Sequence, residues 1–336
     1  MEINGTIGKN MDIKTITKID NSLRGDFPDL FHKLERQKGI TGFISILGDD
    51  YRVKTFCRYN HILRVVNLTK WLLTMFPKRD PHKSLFIAYF HDINRLPFAH
   101  NVEKIIQFNQ SNNIHKYLQL CKDHIPDDYI ADLQSVIEKK THSSPESQIV
   151  YAADATEGFI EDPLFAITTL GVSADFLPQI VSNYLGFDND REEFQYLVTY
   201  LSKLYTDNPD IFTIEFGDIV FKYASTFINK FNQNEKLFIE MPEFPEIRTA
   251  LKDNFLQKLV FPINNEIVSQ GKRIAKEIAI PFIEYLIDKN YDPITMLMEM
   301  TDQELLNQAV QLGLTPYHQK EYWPKLVSLT TCASIP

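Results

Sequence analysis

Cysteine is scarce: Cys57, Cys121 and Cys332 are the three among 336 residues. An odd number without CxxC spacing speaks against a disulfide framework and a thiolate zinc site, and fits a reducing compartment. Glycine is sparse too, at 12 residues, and alternating β-branched runs are few, so a β-rich fold is not expected. No stretch reaches the roughly 20 apolar residues that span a bilayer. The opening MEINGTIGKNMDIKTITKID has no basic region followed by an apolar core. A cytoplasmic protein without a membrane partner is therefore expected. Missing as well are a GxxxxGK phosphate loop, a GxSxG elbow and a thiol nucleophile motif.

Positive charge is in deficit. Forty-four acidic against 35 basic residues give a net charge of -9, which disfavours broad attraction to nucleic acid or anionic lipid. It does not exclude a small anionic ligand, because a local group of cations or a metal dominates at short range.

What remains is 44% hydrophobic and 24% charged, an ordinary globular balance. Long segments mix Leu, Ile, Phe, Lys and Glu in the manner of amphipathic helices, so the fold class expected is all-α. Residues 1–50 read as an irregular N-terminal arm with short helices, one near Phe31 to Arg36, ended by the stretches at Gly39 and Gly48. A catalytic core is expected over 51–165, with a helical C-terminal region, 166–336, packed on it.

Within the core, Ile62, Val65, Val66, Leu68, Leu72 and Leu73 recur at helical spacing between Arg52 and Phe76, and His61 shares their inward face. A second helix from Pro81 ends at His91 and Asp92, followed by a turn at Asn94 to Pro97. A third starts near Phe98 and puts His100 and Glu103 on one face. Segment 126–141 is a further candidate. After the polar break 141–145, a helix over 146–159 carries Asp154 beside Ile149, Val150 and Ala153. Later helices are separated by breaks at Pro163, Asp188 to Asp190 and Pro242 to Pro245, and a short strand at Phe212 to Phe216 is weakly signalled.

Divalent cations need carboxylate or imidazole donors converging from separate rigid elements, within about 2.0–2.3 Å of one point. His61, the pair His91 and Asp92, and Asp154 offer such a set. Each also has a plainer reading: a lone inward His is commonly a hydrogen-bonded core residue, and Asp154 is costly to bury without a cation or a helix cap unless it is exposed.

The series Arg58-Tyr59-Asn60-His61, His91-Asp92, and Asp154 within Tyr-Ala-Ala-Asp resembles the HD superfamily of metal-dependent phosphohydrolases. The stretch from His91 to Glu103, HDINRLPFAHNVE, is similar to the HD-x-GH-x-PFxH-x-x-(E/D) segment of deoxynucleoside triphosphate triphosphohydrolases. The likeness covers residues 50–165. Phe255 to Leu286 and Met300-Thr301-Asp302 loosely resemble the C-terminal part of that group.

The resemblance implies metal ligands His61, His91, Asp92 and Asp154, catalytic His100 with its acidic partner Glu103, and phosphate contacts from Arg58 and Arg95. It implies a divalent cofactor (Mg, Mn, Fe, Co, Ni or Zn), a nucleotide substrate, a nucleotide effector and a homo-oligomer. Release of nucleoside and tripolyphosphate is the leading activity implied. A phosphodiesterase or nucleotidase with one or two metals, and a catalytically degenerate nucleotide sensor, stand beside it. A second metal would draw on His115, His124 and His142. The chain departs from the group at Asn94-Arg95, in place of Gly-His, and at Ala99 and Val102. Arg95 grips phosphate well but cannot exchange a proton near neutral pH.

Overall fold

The computed structural model describes residues 11–41, 56–139, 144–185, 187, 191–231, 236–260 and 275–315. Gly48, Arg52, His142, Cys332 and the break at 188–190 lie outside them, as does 261–274 within the loosely similar C-terminal stretch.

The described residues are helical, and their β pairing is one isolated bridge, Thr41 with Cys57. Helix α1 (Ile13–Asp26), α2 (Pro28–Leu34) and a 3-10 turn at Glu35–Gly39 come first. The core follows: α3 (Arg58–Met75), α4 (Pro81–Phe90), α5 (His100–Ile105), α6 (Gln110–Leu118), α7 (Asp127–Ile137) and α8 (Pro145–Thr168). Beyond them are α9 (Gln179–Leu185), α10 (Glu192–Asp207), α11 (Pro209–Phe231), α12 (Phe244–Arg248) and π-helical stretches at Thr249–Val260 and Ala275–Ala279. The last are α13 (Ile280–Asp288), α14 (Pro293–Met298) and α15 (Asp302–Gln311).

Local chemistry starts these helices. Asp80 accepts from the backbone of His82 and Lys83 ahead of Pro81, and Ser144 accepts from Ser147 N at 3.1 Å ahead of Pro145. Each combines an N-cap with a proline at the first helical position. Thr301 and Glu304 close a reciprocal capping box on α15. Helices α3, α4 and α8 then pack on one another and form the centre of the molecule. Their shared interior holds Ile62, Val65, Leu72, Phe86, Phe90 and Ile149, each fully buried.

Three expectations need correction. The N-terminal arm is more regular than expected, since α1 runs for 14 residues, buries Ile16 and Leu23, and packs on α3 and α4. Pro163 does not end its helix: α8 continues to Thr168 with Leu164, Phe165, Ala166 and Ile167 buried. An interior proline costs roughly 3 kcal/mol, and burying Leu164 and Phe165 at about 1.5–3 kcal/mol each offsets it. Phe212 to Phe216 is helix, not strand. Phe212, Phe216, Val220, Ala224 and Phe227 form one buried stripe of α11, and the alternation visible over five residues is a fragment of that longer period.

Candidate metal centre

Helices α3 and α8 cross the core side by side, so His61 in the first turn of α3 faces Asp154 in the third turn of α8, with Nε2 to Oδ1 at 3.2 Å. His91 caps the C-terminus of α4 and brings its Nε2 to 3.8 Å from the same oxygen. The two imidazoles lie edge to face, 5.6 Å between centroids. Asp92 Oδ2 lies 3.8 Å from Nε2 of both histidines. Donors about 2.1 Å from a cation stand about 3.0 Å apart in octahedral and about 3.4 Å apart in tetrahedral coordination. The His61–Asp154 separation falls between these values, and the 3.8 Å separations are somewhat longer than either.

Tautomers are set from behind. His91 Nδ1 donates to the Ala88 carbonyl at 2.9 Å, which leaves Nε2 with its lone pair facing the centre. Burial presses His91 down to about 3, below the usual imidazole value, so the ring is neutral and fit to be a ligand. His61 Nδ1 lies 2.8 Å from Glu157 Oε2. Burial opposes its charged form, yet the Glu157 and Asp154 carboxylates prevail and raise it to about 10.

Two buried ring nitrogens find no hydrogen-bond partner, His61 Nε2 and His91 Nε2, while Asp92 Oδ2 is held by its ion pair with Arg58. The Asp154 contact to His61 is too poorly aligned to count as one. Leaving buried polar atoms unpaired costs about 1–3 kcal/mol each, and here both nitrogens converge on Asp154, with Asp92 beside them. A divalent cation fits that donor set, since it would satisfy every one of them.

A second acidic group surrounds the other side of His61, where Glu157 and Glu161 approach Nδ1 at 2.8 and 3.5 Å. Arg64 already occupies it, with Nε to Glu157 at 2.6 Å and Nη2 to Glu161 at 2.6 Å. A guanidinium in that place leaves no need for a cation. Glu157, fully buried, is thus the carboxylate that orients His61. The sequence reading missed Arg64, Glu157 and Glu161, although Glu157 and Glu161 follow Asp154 at i+3 and i+7 on one helical face.

The anticipated catalytic pair is also assembled. His100 Nδ1 is 3.4 Å from Glu103 Oε2, and the His100 side chain is 56% exposed, open to an incoming molecule. Arg95 ties this pair to the metal ligands: Nε donates to Asp92 Oδ1 at 2.9 Å and Nη1 to Glu103 Oε2 at 2.8 Å. The Arg95 charge holds His100 down to about 4. Burial raises Glu103, but Arg95 and His100 outweigh it and bring the carboxyl to about 2. Arg58, expected as a phosphate contact, lies against Asp92 Oδ2. Burial, then repulsion from Arg95, lowers Arg58 to about 10. Two guanidiniums therefore converge on Asp92.

Gln110, also missed, donates to the His91 carbonyl at 2.9 Å and to Asp92 Oδ1 at 3.2 Å. Asn94, one of the departures, is buried and donates to the Gln110 carbonyl at 2.8 Å. His115 and His124 are exposed and join no metal-binding group among the described residues. His115 instead meets Gln134 at 3.2 Å. These two give a second metal no support.

Residues 58–158 match the family model of the HD domain. The matched stretch runs from Arg58 through Gly158 and takes in all four expected ligands as well as His100 and Glu103. It supports the HD-domain metal-dependent phosphohydrolase superfamily for this part of the chain. A comparison with curated proteins finds no match. The HD stretch is all-α, as expected, and among the described residues no helix is long and apolar enough to cross a membrane.

Proposed function

We propose that the chain is a metal-dependent phosphohydrolase acting on nucleotides, and specifically a deoxynucleoside triphosphate triphosphohydrolase releasing nucleoside and tripolyphosphate. The observation that carries this reading is the convergence of the buried, unpartnered His61 and His91 ring nitrogens on Asp154, with Asp92 Oδ2 3.8 Å from each. His61, His91, Asp92 and Asp154 would hold the divalent ion. When bound, the ion supplies charge neutralisation for phosphate oxygens and lowers the pKa of a coordinated water.

The chain's own groups carry the rest. His100, neutral at pH 7, accepts or returns a proton at Nε2, while Glu103 orients the ring from Nδ1. Arg58 neutralises a phosphate oxygen entering beside Asp92. Arg95, held by Asp92 and Glu103, acts chiefly as a strut between ligand and catalytic pair. Lys139 supports a polyanionic substrate: Asp154 pulls its pKa upward, yet burial and the nearby cations Lys252, Arg95 and Arg248 depress it. The positive field of these side chains at Lys139 favours an anionic ligand.

Phosphorus NMR on a panel of deoxynucleoside triphosphates with added Mn tests the proposal. Tripolyphosphate is the expected product, and no phosphate product from any nucleotide overturns it. One observation favours a second reading. Arg58 and Arg95 already neutralise Asp92, as in a nucleotide sensor that needs no metal. Tight nucleotide binding without bound metal, unaffected by Asp154→Ala, would favour that sensor.

A further inference from the structure

His100 owes its place to a strained turn. Phe98 and Ala99 both have positive φ, 56° and 36°, and Ala99 pairs this with ψ of -121°. Neither is glycine, so each costs on the order of 1–3 kcal/mol and persists only where the surroundings fix it. Downstream, Asn101 N bonds to Phe98 O at 3.0 Å and Glu103 N to Ala99 O at 3.0 Å. The turn therefore sets the direction of α5 and of both catalytic side chains on it.

What fixes the turn comes from about 200 residues away. Asp302, the first residue of α15, is buried and does not cap its own helix, a role that Thr301 fills. Its Oδ1 accepts from Phe98 N at 2.6 Å. Its Oδ2 accepts from Thr41 N at 3.1 Å and Thr41 Oγ1 at 2.8 Å. The preceding residues are tied as well: Arg36 donates to the carbonyls of Met300, Ile93 and Arg95, and Gln37 to that of Ile93 at 2.7 Å. Gly39 lies so close to α15 that a Cβ there would stand 2.6 Å from Thr301 Cγ2. The loop that bears Arg95 and leads to His100 is thus clamped by segments from the N-terminal and C-terminal parts of the chain, the first of which also packs on α3.

We propose that Asp302 is a positioning residue for His100, holding the Phe98–Ala99 turn in the conformation that presents the imidazole to the metal centre. The proposal rests on the hydrolase reading for its consequence in turnover, but its structural half stands independently. Without the carboxylate, φ at Phe98 and Ala99 relaxes toward negative values and His100 leaves Glu103, while His61, His91 and Asp154 stay in place on α3, α4 and α8.

The test uses the full-length chain with diamagnetic Mg bound, as Asp302→Ala, Asp302→Asn and Gly39→Ala, labelled with carbon-13 at histidine. In Asp302→Ala the His100 ring resonance shifts while those of His61 and His91 hold. Turnover falls on the order of 100-fold, the cost of a roughly 1 Å misplacement, at unchanged KM and metal content. Asp302→Asn keeps an acceptor for Phe98 N and recovers part of the loss. Gly39→Ala, which displaces α15 without touching the turn, moves the same resonance and reports if Asp302→Ala fails to fold. A His100 resonance unchanged in folded Asp302 and Gly39 variants overturns the proposal. If the parent hydrolyses no nucleotide, the hydrolase reading fails while the resonance still decides on Asp302.

Discussion

The two halves of the site are built differently. His61 and Asp154 sit on α3 and α8, two long helices packed in the core, and His91 closes a third helix buried throughout. Their geometry is a by-product of core packing, backed by the satisfied Glu157–Arg64–Glu161 network. His100 instead stands first on a six-residue helix, after two strained residues, and the turn before it is held by the Phe98 amide donating to Asp302 and by Arg36 and Gln37 donating to the Ile93 carbonyl. The geometry of the proposed ligands is thus inherited from the fold, whereas that of the proposed catalytic pair depends on a few long-range polar contacts. Damage to one half should be separable from damage to the other.

The largest effect expected is on stability at the ligand half. Glu157→Ala leaves His61 and Arg64 buried with half their partners gone and should cost about 3–5 kcal/mol, measured by denaturant unfolding. A loss under 1 kcal/mol would mean that the network does not support the ligands. At the other half, His100→Ala should lower kcat by about 10²–10⁴-fold with metal content unchanged; loss of metal in that variant would merge the two halves.

The strut between them gives a pH signature. Arg95 holds His100 down to about 4, against about 6.5 for a free imidazole. A depressed imidazole contributes stability that is present above about pH 6.5 and is lost as pH falls through the folded value. Arg95→Gln should therefore move the acidic limb of the pH–rate profile from about 4 toward 6.5, in parallel with the His100 titration followed by NMR. An unmoved limb would detach Arg95 from His100. The smallest effect is the control: Lys116 pairs with Asp292 at the surface, both more than 40% exposed, and Lys116→Ala should change stability by less than about 1 kcal/mol and activity not at all.

The same division governs what was legible in the sequence. His61, His91, Asp92 and Asp154 carry motif spacing and lie on strongly periodic helices, so the helices, and the residues that meet, could be anticipated together. Glu157 and Glu161 had a readable signal, their helical spacing from Asp154, that went unused. Asp302 stood out only within the Met300-Thr301-Asp302 stretch, and its contact had no signal, because its partner Phe98 lies 204 residues away and no local pattern encodes such a contact. Pro163 and the Phe212 to Phe216 segment misled for a related reason: local breaker and alternation rules were overridden by burial along α8 and α11.

The most direct measurement is anomalous diffraction from crystals of the parent protein and of Asp154→Ala, both soaked in Mn. One strong peak bound by His61 Nε2, His91 Nε2, Asp92 and Asp154 is expected in the parent and none in the variant. A parent with no peak there, or one displaced to the Glu157–Glu161 side of His61, would contradict the metal centre.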